Sequence, residues 1–568
     1  MNNREIAQIF YSIAEILDIQ GENPFRIRAY IRAGQTIENL TEQISDMPDI
    51  DQLKELPGIG DAILEKIKEI LKTGRLKFYE KLKKSEYAPL IELLKVPGMG
   101  PKHAKLVYDQ LHIRTTKQLE KAARAGRLRE LPGLGPKVEQ NILQGIKQAI
   151  KHKERMPLAF VYPLAQAVLK EVEKMKQVKK AILAGSLRRM KETIADIDIL
   201  ASAEKSKPII DAFVKIPQVK KVLAKGSTKS SIQIENNIQV DLRIVKPESF
   251  GSASHYFTGS KAHNIKLRSI AQARGLKVSE YGIFKGKKRI AGRTEEEVYS
   301  ALGLPYIPPE IREDNGEIEA GFENRLPKLI ELKDIKGDLH VHSNWSDGKR
   351  TIEDMVRYAK KIGYEYMAIC DHSPYVGITN GLDEKRLERQ MKEIDKLNEK
   401  LEGIVVLKGI EVDIRGDGKL DLPDSILKKL DVVVASVHTK FSQSKEEMTK
   451  RIIRAVENPN VDIIAHPTGR LIGKREPYEV GMDKLFDAVL ANRKFLELNA
   501  YPQRLDLNDI NCRKAKEKGI KLVISTDSHT ESDLEFMQFG VATARRGWLS
   551  KKDVLNTLHF NDFIRYFR

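Results

Sequence analysis

The sequence has very little cysteine. Only Cys370 and Cys512 occur among its 568 residues, so the chain can build neither a disulfide framework nor a zinc site made of several thiolates. The composition therefore excludes a disulfide-stapled secreted scaffold and a thiolate zinc module. A reducing compartment such as the cytosol fits this cysteine content.

The sequence also lacks a long apolar run. Its first segment, MNNREIAQIFYSIAEILDIQ, places apolar residues at helical intervals among charged ones. No later stretch stays apolar for the roughly 20 residues that a bilayer requires. We therefore expect no export signal, no membrane partner and a cytoplasmic location.

Length and charge set the next limits. A chain of 568 residues is too long for a single core, and we expect roughly three or four domains. The formal net charge of +18 and the pI near 9.4 describe a surface that attracts polyanions, of which nucleic acid is the commonest. The alternative is a basic surface that serves only solubility, so the motifs have to decide between the two.

One motif occurs three times in the N-terminal part: LPGIGDAILEKIKEIL at 56–71, VPGMGPKHAKLVYDQL at 96–111 and LPGLGPKVEQNILQGI at 131–146. Each copy predicts a tight glycine turn followed at once by a helix, which is typical of helix-hairpin-helix motifs. Amides at the start of the second helix bind a DNA phosphate without reading base sequence. The predicted DNA-binding positions are Gly58, Gly60, Gly98, Gly100, Gly133 and Gly135. A plain helical turn is the alternative for one copy, but three copies in a basic chain favour DNA binding.

Two strand-like segments carry carboxylates. In IADIDIL, Asp196 and Asp198 are two residues apart, so on a strand both point to one face. In IQVDLRIV, at 238–245, Asp241 shares a face with Arg243. If the strands pair, three carboxylates converge, and such a cluster needs hard cations such as Mg²⁺ or Mn²⁺. This predicts a two-metal site for phosphoryl transfer, with a solvated strand end as the alternative for the DID triplet alone.

The part of the chain up to about residue 306 resembles the polymerase beta group of X-family DNA polymerases. The resemblance rests on the segments GSLRR, DID, VDLR and YFTGS in this order. It implies a helical DNA-binding domain, a palm and a nucleotide-selecting subdomain, with the three aspartates as catalytic metal ligands. It also implies nucleotide-binding roles for Gly185, Ser186, Arg189, Tyr256, Phe257, Gly259, Asn264 and Arg268.

The resemblance gives several of these residues distinct tasks. Ser186 and Arg189 would hold the incoming triphosphate. Tyr256 and Phe257 would lie beside the sugar and disfavour ribonucleotides, although core packing is the alternative for an aromatic pair. Asn264 would contact the nascent base, and the arginine one turn later on the same segment would contact the template.

Some positions depart from the family pattern or match it loosely. Ile194 and Ala195 stand where a small hydroxyl residue and a glycine are expected, so no phosphate contact is assigned there. Lys66 falls where the family has its deoxyribose-phosphate lyase lysine. A Schiff-base lysine needs a lowered pKa, and a solvated lysine is the default interpretation in LEKIKEILK. Arg26 and Tyr30 align only loosely with a 5′-phosphate pocket and are not assigned.

A second set of motifs follows a proline-rich and acidic stretch between Pro305 and Lys336, where we place a domain boundary. Beyond it, apolar strands alternate with helical segments, which predicts a mostly parallel sheet or barrel. Residues of the metal-ligand type follow the strands, at the end where active sites form in βα barrels. They are His340, His342, Asp347, His372, Glu411, His438, His466, Asp527 and His529. A lone histidine there is more often structural, and Asp347 has a plain turn as its alternative.

The order of these ligands resembles the PHP domain, the polymerase and histidinol phosphatase superfamily. The resemblance implies a distorted seven-stranded barrel and a site of three ions, with Glu411 bridging two of them. Imidazoles and carboxylates without thiolate favour Mn²⁺, Zn²⁺ or Fe²⁺ over Mg²⁺. Hydrolysis of a phosphoester is the chemistry we expect there.

We thus predict a multidomain chain: an α-helical helix-hairpin-helix region, an α+β nucleotidyltransferase palm of the polymerase beta type and a C-terminal α/β distorted (β/α)7 PHP barrel. The predicted boundaries are 1–88 for the N-terminal helical DNA-binding domain with the first hairpin, 89–152 for a helical subdomain with two further hairpins, 153–247 for the palm, 248–308 for the nucleotide-selecting subdomain, 309–334 for a linker and 335–568 for the PHP domain.

The predicted function is gap filling in DNA repair, as in base excision repair, by a monomer acting on gapped or primed duplex DNA with deoxynucleoside triphosphates. The barrel would add a 3′-5′ exonuclease and an abasic-site endonuclease. Three alternatives stay open: a template-independent nucleotidyltransferase, a DNA end-binding protein with a degenerate palm, and a barrel that acts as a small-molecule phosphatase.

Overall fold

The computed structural model describes residues 3–38, 44, 50–56, 58–94, 96, 98–150 and 155–567. The chain forms two compact units, Met1–Glu154 and Arg155–Arg568. Among the described residues, every strand belongs to the second unit, and no helix combines the length and the apolar character that a membrane crossing needs.

The first unit consists of helices that bury one apolar face each. They are α1 (Asn3–Gln20), α2 (Pro24–Glu38), α3 (Asp61–Thr73), α4 (Lys77–Lys83), α5 (Ile91–Leu94), α6 (Pro101–Leu111), α7 (Thr116–Arg124) and α8 (Pro136–Ile150). One apolar core joins α1 to α4, and a second joins α5 to α8 and includes Ile19 of α1. The predicted helical hairpin region is therefore confirmed, with α1 shared between its two cores.

The second unit begins with the palm. Its elements are β1 (Met156–Pro157), α9 (Leu158–Glu173), β2 (Lys180–Leu183), α10 (Gly185–Arg188), β3 (Thr193–Ile194), β4 (Asp196–Ser202), α11 (Lys207–Phe213), β5 (Lys221–Lys225), β6 (Lys229–Gln233) and β7 (Gln239–Val245). The main sheet has the order β2-β4-β7-β6-β5. Within it β4 and β7 run parallel, while the other neighbours are antiparallel. The two strands that carry the predicted aspartates are therefore adjacent in the sheet.

A smaller domain follows the palm. Its elements are α12 (Phe250–Thr258), α13 (Lys261–Ala273), β8 (Leu276–Ser279), β9 (Gly282–Lys285), β10 (Lys288–Ala291) and α14 (Glu295–Ala301). The three strands form an antiparallel sheet of order β10-β9-β8. The segment YFTGS crosses from the end of α12 to the start of α13, so this domain presents it toward α10 of the palm, whose Arg188 donates to Thr258 at 2.7 Å.

The segment 309–334, interpreted from the sequence as a linker, is packed and contains α15 (Glu317–Phe322). Arg312 is fully buried and donates from Nη1 to Glu295 Oε1 at 2.6 Å. Glu317 is fully buried beside His263. The charged side chains that interrupt the apolar pattern here are buried together with hydrogen-bonding partners. Such pairing is the condition for placing a charge in a protein interior.

The C-terminal domain alternates strands and helices. Its elements are β11 (Gly337–Val341), α16 (Ile352–Lys361), β12 (Tyr366–Ile369), α17 (Glu384–Asn398), β13 (Val405–Asp413), α18 (Asp424–Leu427), β14 (Val432–Ser436), α19 (Lys445–Val456), β15 (Ile463–Ile464), α20 (Met482–Ala491), β16 (Phe495–Asn499), α21 (Asp509–Glu517), β17 (Leu522–Ser525), α22 (Met537–Arg546) and α23 (Phe560–Phe563). The seven strands pair in chain order, all parallel. A parallel bridge from Val341 to Ser528 links the first strand to the end of the last. The predicted seven-stranded barrel is confirmed.

The barrel and the palm share an apolar core. Leu505 and Phe539 of the barrel domain are buried among the palm's apolar side chains, and the Phe539 ring meets Tyr162 of α9 edge-on at 6.0 Å. Beside this core, Arg470 pairs with Glu192 of the palm at 2.8 Å. The loops at the carboxyl ends of the barrel strands therefore form part of the palm interface.

Candidate active sites

The palm aspartates lie on the two central strands. In the register of β4 and β7, Asp198 is directly opposite Asp241, and Asp196 is opposite Gln239. All three aspartates are partly exposed, whereas the alternate residues of both strands are buried. The structure thus brings the three carboxylates to one face at one end of the paired strands.

Asp241 has a cationic neighbour that the sequence pattern did not reveal. Lys229, on the adjacent strand β6, places its Nζ 2.8 Å from Asp241 Oδ2, and Gln239 donates to Asp241 Oδ1 at 2.8 Å. Burial raises the pKa of Asp241, but these two donors outweigh burial and hold the pKa below its ordinary value. The carboxylate therefore stays ionised and is paired with the Lys229 ammonium.

Gly185 makes room for Asp198. A Cβ on Gly185 would lie 2.2 Å from Asp198 Oδ2, and the backbone there has a φ of +59°. A side chain at this position would therefore displace the carboxylate. Ser186 follows in the first turn of α10 and is partly exposed beside the same strand.

Arg189 directly follows α10 and is mostly buried. Its Nη1 donates to the Thr258 carbonyl at 2.5 Å and its Nε to Glu313 Oε1 at 3.1 Å. Gly259 lies against it, since a Cβ there would be 3.3 Å from Arg189 Nη1. The neighbouring Arg188 forms its ion pair with a different carboxylate, Glu295. The sequence pattern identified the arginines but not their two carboxylate partners.

The aromatic pair of YFTGS is partly exposed rather than buried in the core. The rings of Tyr256 and Phe257 meet edge-on at 5.1 Å, and the Arg243 guanidinium lies 4.5 Å from the centre of the Phe257 ring. Asn264 donates to the Tyr256 carbonyl at 2.8 Å, and Arg268 donates to the Asn264 carbonyl at 3.2 Å. The predicted nucleotide-selecting residues thus form one connected group next to the strand of Asp241.

The glycines of the three hairpins share one geometry. Gly58, Gly98 and Gly133 have φ values of +88°, +94° and +81°, the left-handed region that favours glycine. The second glycine of each copy, at 60, 100 and 135, directly precedes α3, α6 and α8, and a Cβ built there meets no atom of the described residues within 4 Å. Within the described part of the chain, the space beside the start of each of these helices is therefore open. Pro57 and Pro97 lie outside the described residues.

Lys66 lies on α3, partly buried. Its Nζ donates to the Ala62 carbonyl at 2.9 Å and is 5.8 Å from the centre of the Phe78 ring. Burial lowers the pKa of Lys66, and the nearby Arg26 lowers it further. Arg26 lies over the same Phe78 ring at 5.4 Å, which stacks on Tyr30. The structure brings together the lysine and the two residues that the sequence matched only loosely.

In the barrel, all nine predicted ligands converge at the carboxyl ends of the strands. The possible ligand atoms form three groups, and within each group all of them lie within 4.8 Å of one another. These groups are His342 with Asp347, His372 and His529; His340 with His342 and Asp527; and His372 with Glu411 and His438. The ninth residue, His466, reaches Glu411 Oε1 at 3.0 Å. Among the residues that the structure describes, the palm aspartates do not form such a group.

Glu411 is the centre of the barrel cluster. Its side chain is 1% exposed and lies within 4.0 Å of five histidines. Burial raises the pKa of Glu411, but His438, His372 and His340 hold it well below its ordinary value. Burial lowers the pKa of His342 to about 3 and that of His466 to about 3, so both imidazoles are neutral, as metal binding requires.

Several buried ligand atoms make no hydrogen bond of good geometry to any residue that the structure describes. They include His340 Nε2, His342 Nδ1, His372 Nδ1 and Glu411 Oε2. Buried polar atoms are normally satisfied, and a cluster of unsatisfied donors and acceptors with the right ligand types is what a metal site presents without its ions. The donor set therefore fits divalent metals.

A second layer of polar residues orients these ligands, and the motif analysis missed it. Glu497 accepts from His340 Nδ1 at 2.8 Å and from the His466 amide at 2.7 Å, while Asp413 lies 3.2 Å from His438 Nδ1. Arg504 lies 3.1 Å from Asp527. Carboxylates that hold the far nitrogen of a ligand histidine fix its tautomer and orientation. Only Asp413 had a sequence signal, its spacing of two residues from Glu411 on one strand.

Four family models match the chain. They are described as helix-hairpin-helix domain for residues 1–76, SAM-like helix-hairpin-helix tandem for 90–148, DNA polymerase beta thumb for 253–313 and PHP domain for 338–501. The matched residues of the two helix-hairpin-helix models contain the three glycine turns, and the PHP match contains seven of the nine barrel ligands.

Three curated relatives show how the similarity is distributed. The chain is 40% identical over 566 residues to the DNA polymerase/3′-5′ exonuclease PolX of Bacillus subtilis (strain 168), which covers 99% of this chain and 98% of that protein. It is 33% identical over 231 residues to a probable phosphatase of Thermoanaerobacter sp. (strain X514), covering 39% of this chain and 89% of that protein. It is 26% identical over 345 residues to DNA polymerase lambda of Arabidopsis thaliana, covering 55% and 62%.

Proposed function

Because this chain belongs to the PolX family of X-family DNA polymerases, we propose which of its residues carry the two activities of that family. The chain is a DNA repair polymerase with a PHP-domain 3′-5′ exonuclease. The observation that carries this function is similarity over nearly the whole chain, together with the ligand groups of the barrel.

In the palm, we assign Asp196, Asp198 and Asp241 to the divalent ions of nucleotidyl transfer. The Lys229 ammonium at Asp241 supports the assignment, because it keeps the Asp241 carboxylate ionised, and the ionised carboxylate is the form that binds a metal. Mg²⁺ or Mn²⁺ bound there would neutralise the phosphates and activate the primer hydroxyl. The cluster of carboxylates needs such cations, since three like charges at one strand end repel each other.

The other palm residues bind and select the nucleotide. Ser186 and Arg189 would donate to the triphosphate. Phe257, held by the Arg243 guanidinium, would form with Tyr256 the wall that excludes a ribose hydroxyl. This wall would exclude the hydroxyl by steric contact, and a hydroxyl buried there without a partner would also carry a desolvation cost.

The helical unit would hold the DNA on which the palm acts. The open helix starts after Gly60, Gly100 and Gly135 present amides to the phosphate backbone without contacting bases. The substrates are thus gapped or primed duplex DNA and deoxynucleoside triphosphates. We further propose that a monomer suffices, because one chain supplies every assigned ligand of both sites.

In the barrel, we assign the nine predicted residues as metal ligands. We propose that they bind Mn²⁺ or Zn²⁺, with three ions in all and one ion for each ligand group. Bound ions would supply the hydrolytic nucleophile and stabilise the charge on the phosphate. Glu497 and Asp413 hold His340 and His438 in the orientation that binding needs. We propose DNA as the substrate, with abasic-site cleavage as a further reaction to assay.

One experiment tests the proposed function as a whole. The purified chain is given a gapped duplex, a primed template and a lone single strand, each with all four deoxynucleotides, beside a 3′-labelled strand with Mn²⁺. We expect extension opposite template bases and release of the 3′ label. Equal extension of the lone strand would support a template-independent transferase, and hydrolysis of p-nitrophenyl phosphate without shortening of DNA would support the phosphatase suggested by the second relative.

We also propose that Lys66 is a Schiff-base nucleophile for 5′-deoxyribose phosphate. Its lowered pKa and its position beside Arg26 support this role, since a lysine must lose its proton to attack. Borohydride should trap the chain on DNA with a 5′-deoxyribose phosphate, and Lys66→Ala should abolish the adduct. Lys68→Ala on the same helix is the matched control, because Lys68 pairs with Asp51 instead. Equal trapping of both variants would contradict the proposal.

A further inference from the structure

The proposed triphosphate residue Arg189 is held by groups from two other domains. Its Nε donates to Glu313 Oε1 at 3.1 Å, and its backbone carbonyl accepts from Arg546 Nη1 at 2.8 Å. Glu313 is the last residue of the thumb match, and Arg546 is the last residue of α22 in the barrel. A barrel side chain therefore reaches the nucleotide site of the palm.

Glu313 lies close to three cations. Arg189 and Arg546 both lie 3.1 Å from its Oε1, and Lys191 lies 3.4 Å from the same atom. Burial raises the pKa of Glu313, but the three cations hold it below its ordinary value, so the group is a carboxylate at neutral pH. Arg546 and Lys191 also repel the Arg189 guanidinium, so their positive charges offset the attraction of Glu313 for Arg189. Arg546 thus weakens the hold of Glu313 on Arg189.

Arg546 is fixed in position by its own surroundings. Its side chain is 6% exposed, and Nη2 donates to Asp509 Oδ2 at 2.7 Å. The same helix inserts Phe539 into the apolar core of the palm. Since both the helix and the guanidinium are anchored, the donor that meets the Arg189 carbonyl is set in place before any nucleotide binds.

We infer that Arg546 of the barrel is a positioning residue for DNA synthesis. It fixes the backbone of Arg189 and offsets the charge of Glu313, so that the Arg189 guanidinium can leave Glu313 for the triphosphate. The inference rests on the proposed nucleotide-binding role of Arg189. It gives the barrel a part in polymerisation that is separate from its nuclease chemistry.

The test compares Arg546→Gln with Arg545→Gln in the full chain, by steady-state nucleotide incorporation on gapped DNA. Arg545 is the matched control, because it also links the barrel to the thumb side but binds Glu310 and the Ile330 carbonyl. We expect Arg546→Gln to raise the nucleotide KM about tenfold with a much smaller change in kcat, since a charge-assisted hydrogen bond is lost. Arg545→Gln should leave KM near that of the wild type, and both variants should keep nuclease activity.

A second substitution checks the cause. Glu313→Gln in the Arg546→Gln background should return KM to within about twofold of Glu313→Gln alone. Equal increases in KM for both arginine variants, or no relief by Glu313→Gln, would overturn the inference. If Arg546→Gln does not fold, Asp509→Asn takes its place, and an unchanged KM there overturns the inference as well.

The single variant Arg189→Gln distinguishes failure of the positioning role of Arg546 from failure of the nucleotide-binding role proposed for Arg189. An unchanged KM in Arg189→Gln would refute the nucleotide-binding role of Arg189 itself. A raised KM in Arg189→Gln, with Arg546→Gln and Asp509→Asn both unchanged, would refute only the positioning role of Arg546.

Discussion

The proposed ligands of the palm and of the barrel differ both in residue type and in surroundings. In the palm, Asp241 is 16% exposed, and Lys229 of the adjacent strand pairs with its Oδ2. In the barrel, Glu411 is 1% exposed and is enclosed by histidines, with a further layer of buried carboxylates behind them. The first arrangement suits ions that arrive with each nucleotide, and the second suits ions that stay with the protein.

This difference teaches how one chain keeps two phosphoester reactions apart. A partly exposed carboxylate cluster is complete only when substrate and ions bind together, because phosphate oxygens supply the missing ligands. A buried imidazole cluster has its ligands in place beforehand and depends on its supporting layer to keep them aligned. Substitutions should therefore act on the two sites separately and in different ways.

The largest expected effect comes from removing one central ligand at each site. Asp198→Asn should lower primer extension on gapped DNA by at least about a thousandfold and leave 3′-5′ degradation unchanged, since the palm loses a shared metal ligand. His342→Ala should do the reverse. Parallel extension and degradation assays on one preparation check this. Loss of both activities in either variant would show that the sites are not independent.

A smaller effect is expected behind the barrel ligands. Glu497→Gln should lower nuclease activity or Mn²⁺ affinity by about 10- to 100-fold, because it weakens the support of His340, and extension should not change. The matched control is Glu388→Gln, an exposed carboxylate of the same domain that pairs only weakly with Lys429. Metal titration of the nuclease rate measures the effect. A result equal to that of the control would mean that the supporting layer is dispensable.

The smallest effect concerns the lysine in the palm. Lys229→Ala should lower the Mg²⁺ concentration for half-maximal extension by no more than about fivefold, because a partly exposed pair contributes little and the lysine competes for Asp241. Lys225→Ala, which removes an exposed lysine of the neighbouring strand that pairs with Asp211, is the control. A higher Mg²⁺ requirement in Lys229→Ala alone would show that the lysine assists the site instead.

The sequence alone predicted the elements whose signal is local. The spacing of Asp196 and Asp198 fixes a shared face on any strand, and the ligands at the ends of apolar runs meet in any parallel barrel. The three glycine turns followed in the same way, whereas the number of strands was implied by the resemblance to the PHP domain. The local features need only the period of the backbone.

The rest depends on contacts between distant residues. Lys229 and Glu497 reach the sites from neighbouring strands, and no spacing in the sequence marks them. The segment 309–334 was interpreted as a linker because its charges break every apolar period, yet Arg312 and Glu295 bury each other's charge. The same charged residue types occur in buried ion pairs and in solvated loops, so only the tertiary structure distinguishes the two.

The insertion of Leu505 and Phe539 into the palm core has a consequence for synthesis of the chain. A domain whose strands end at Val245 must wait for residues made almost 300 positions later before its apolar core is complete. At ordinary rates of translation this delay is on the order of tens of seconds. During that time the growing chain carries an unfinished palm with an exposed apolar patch.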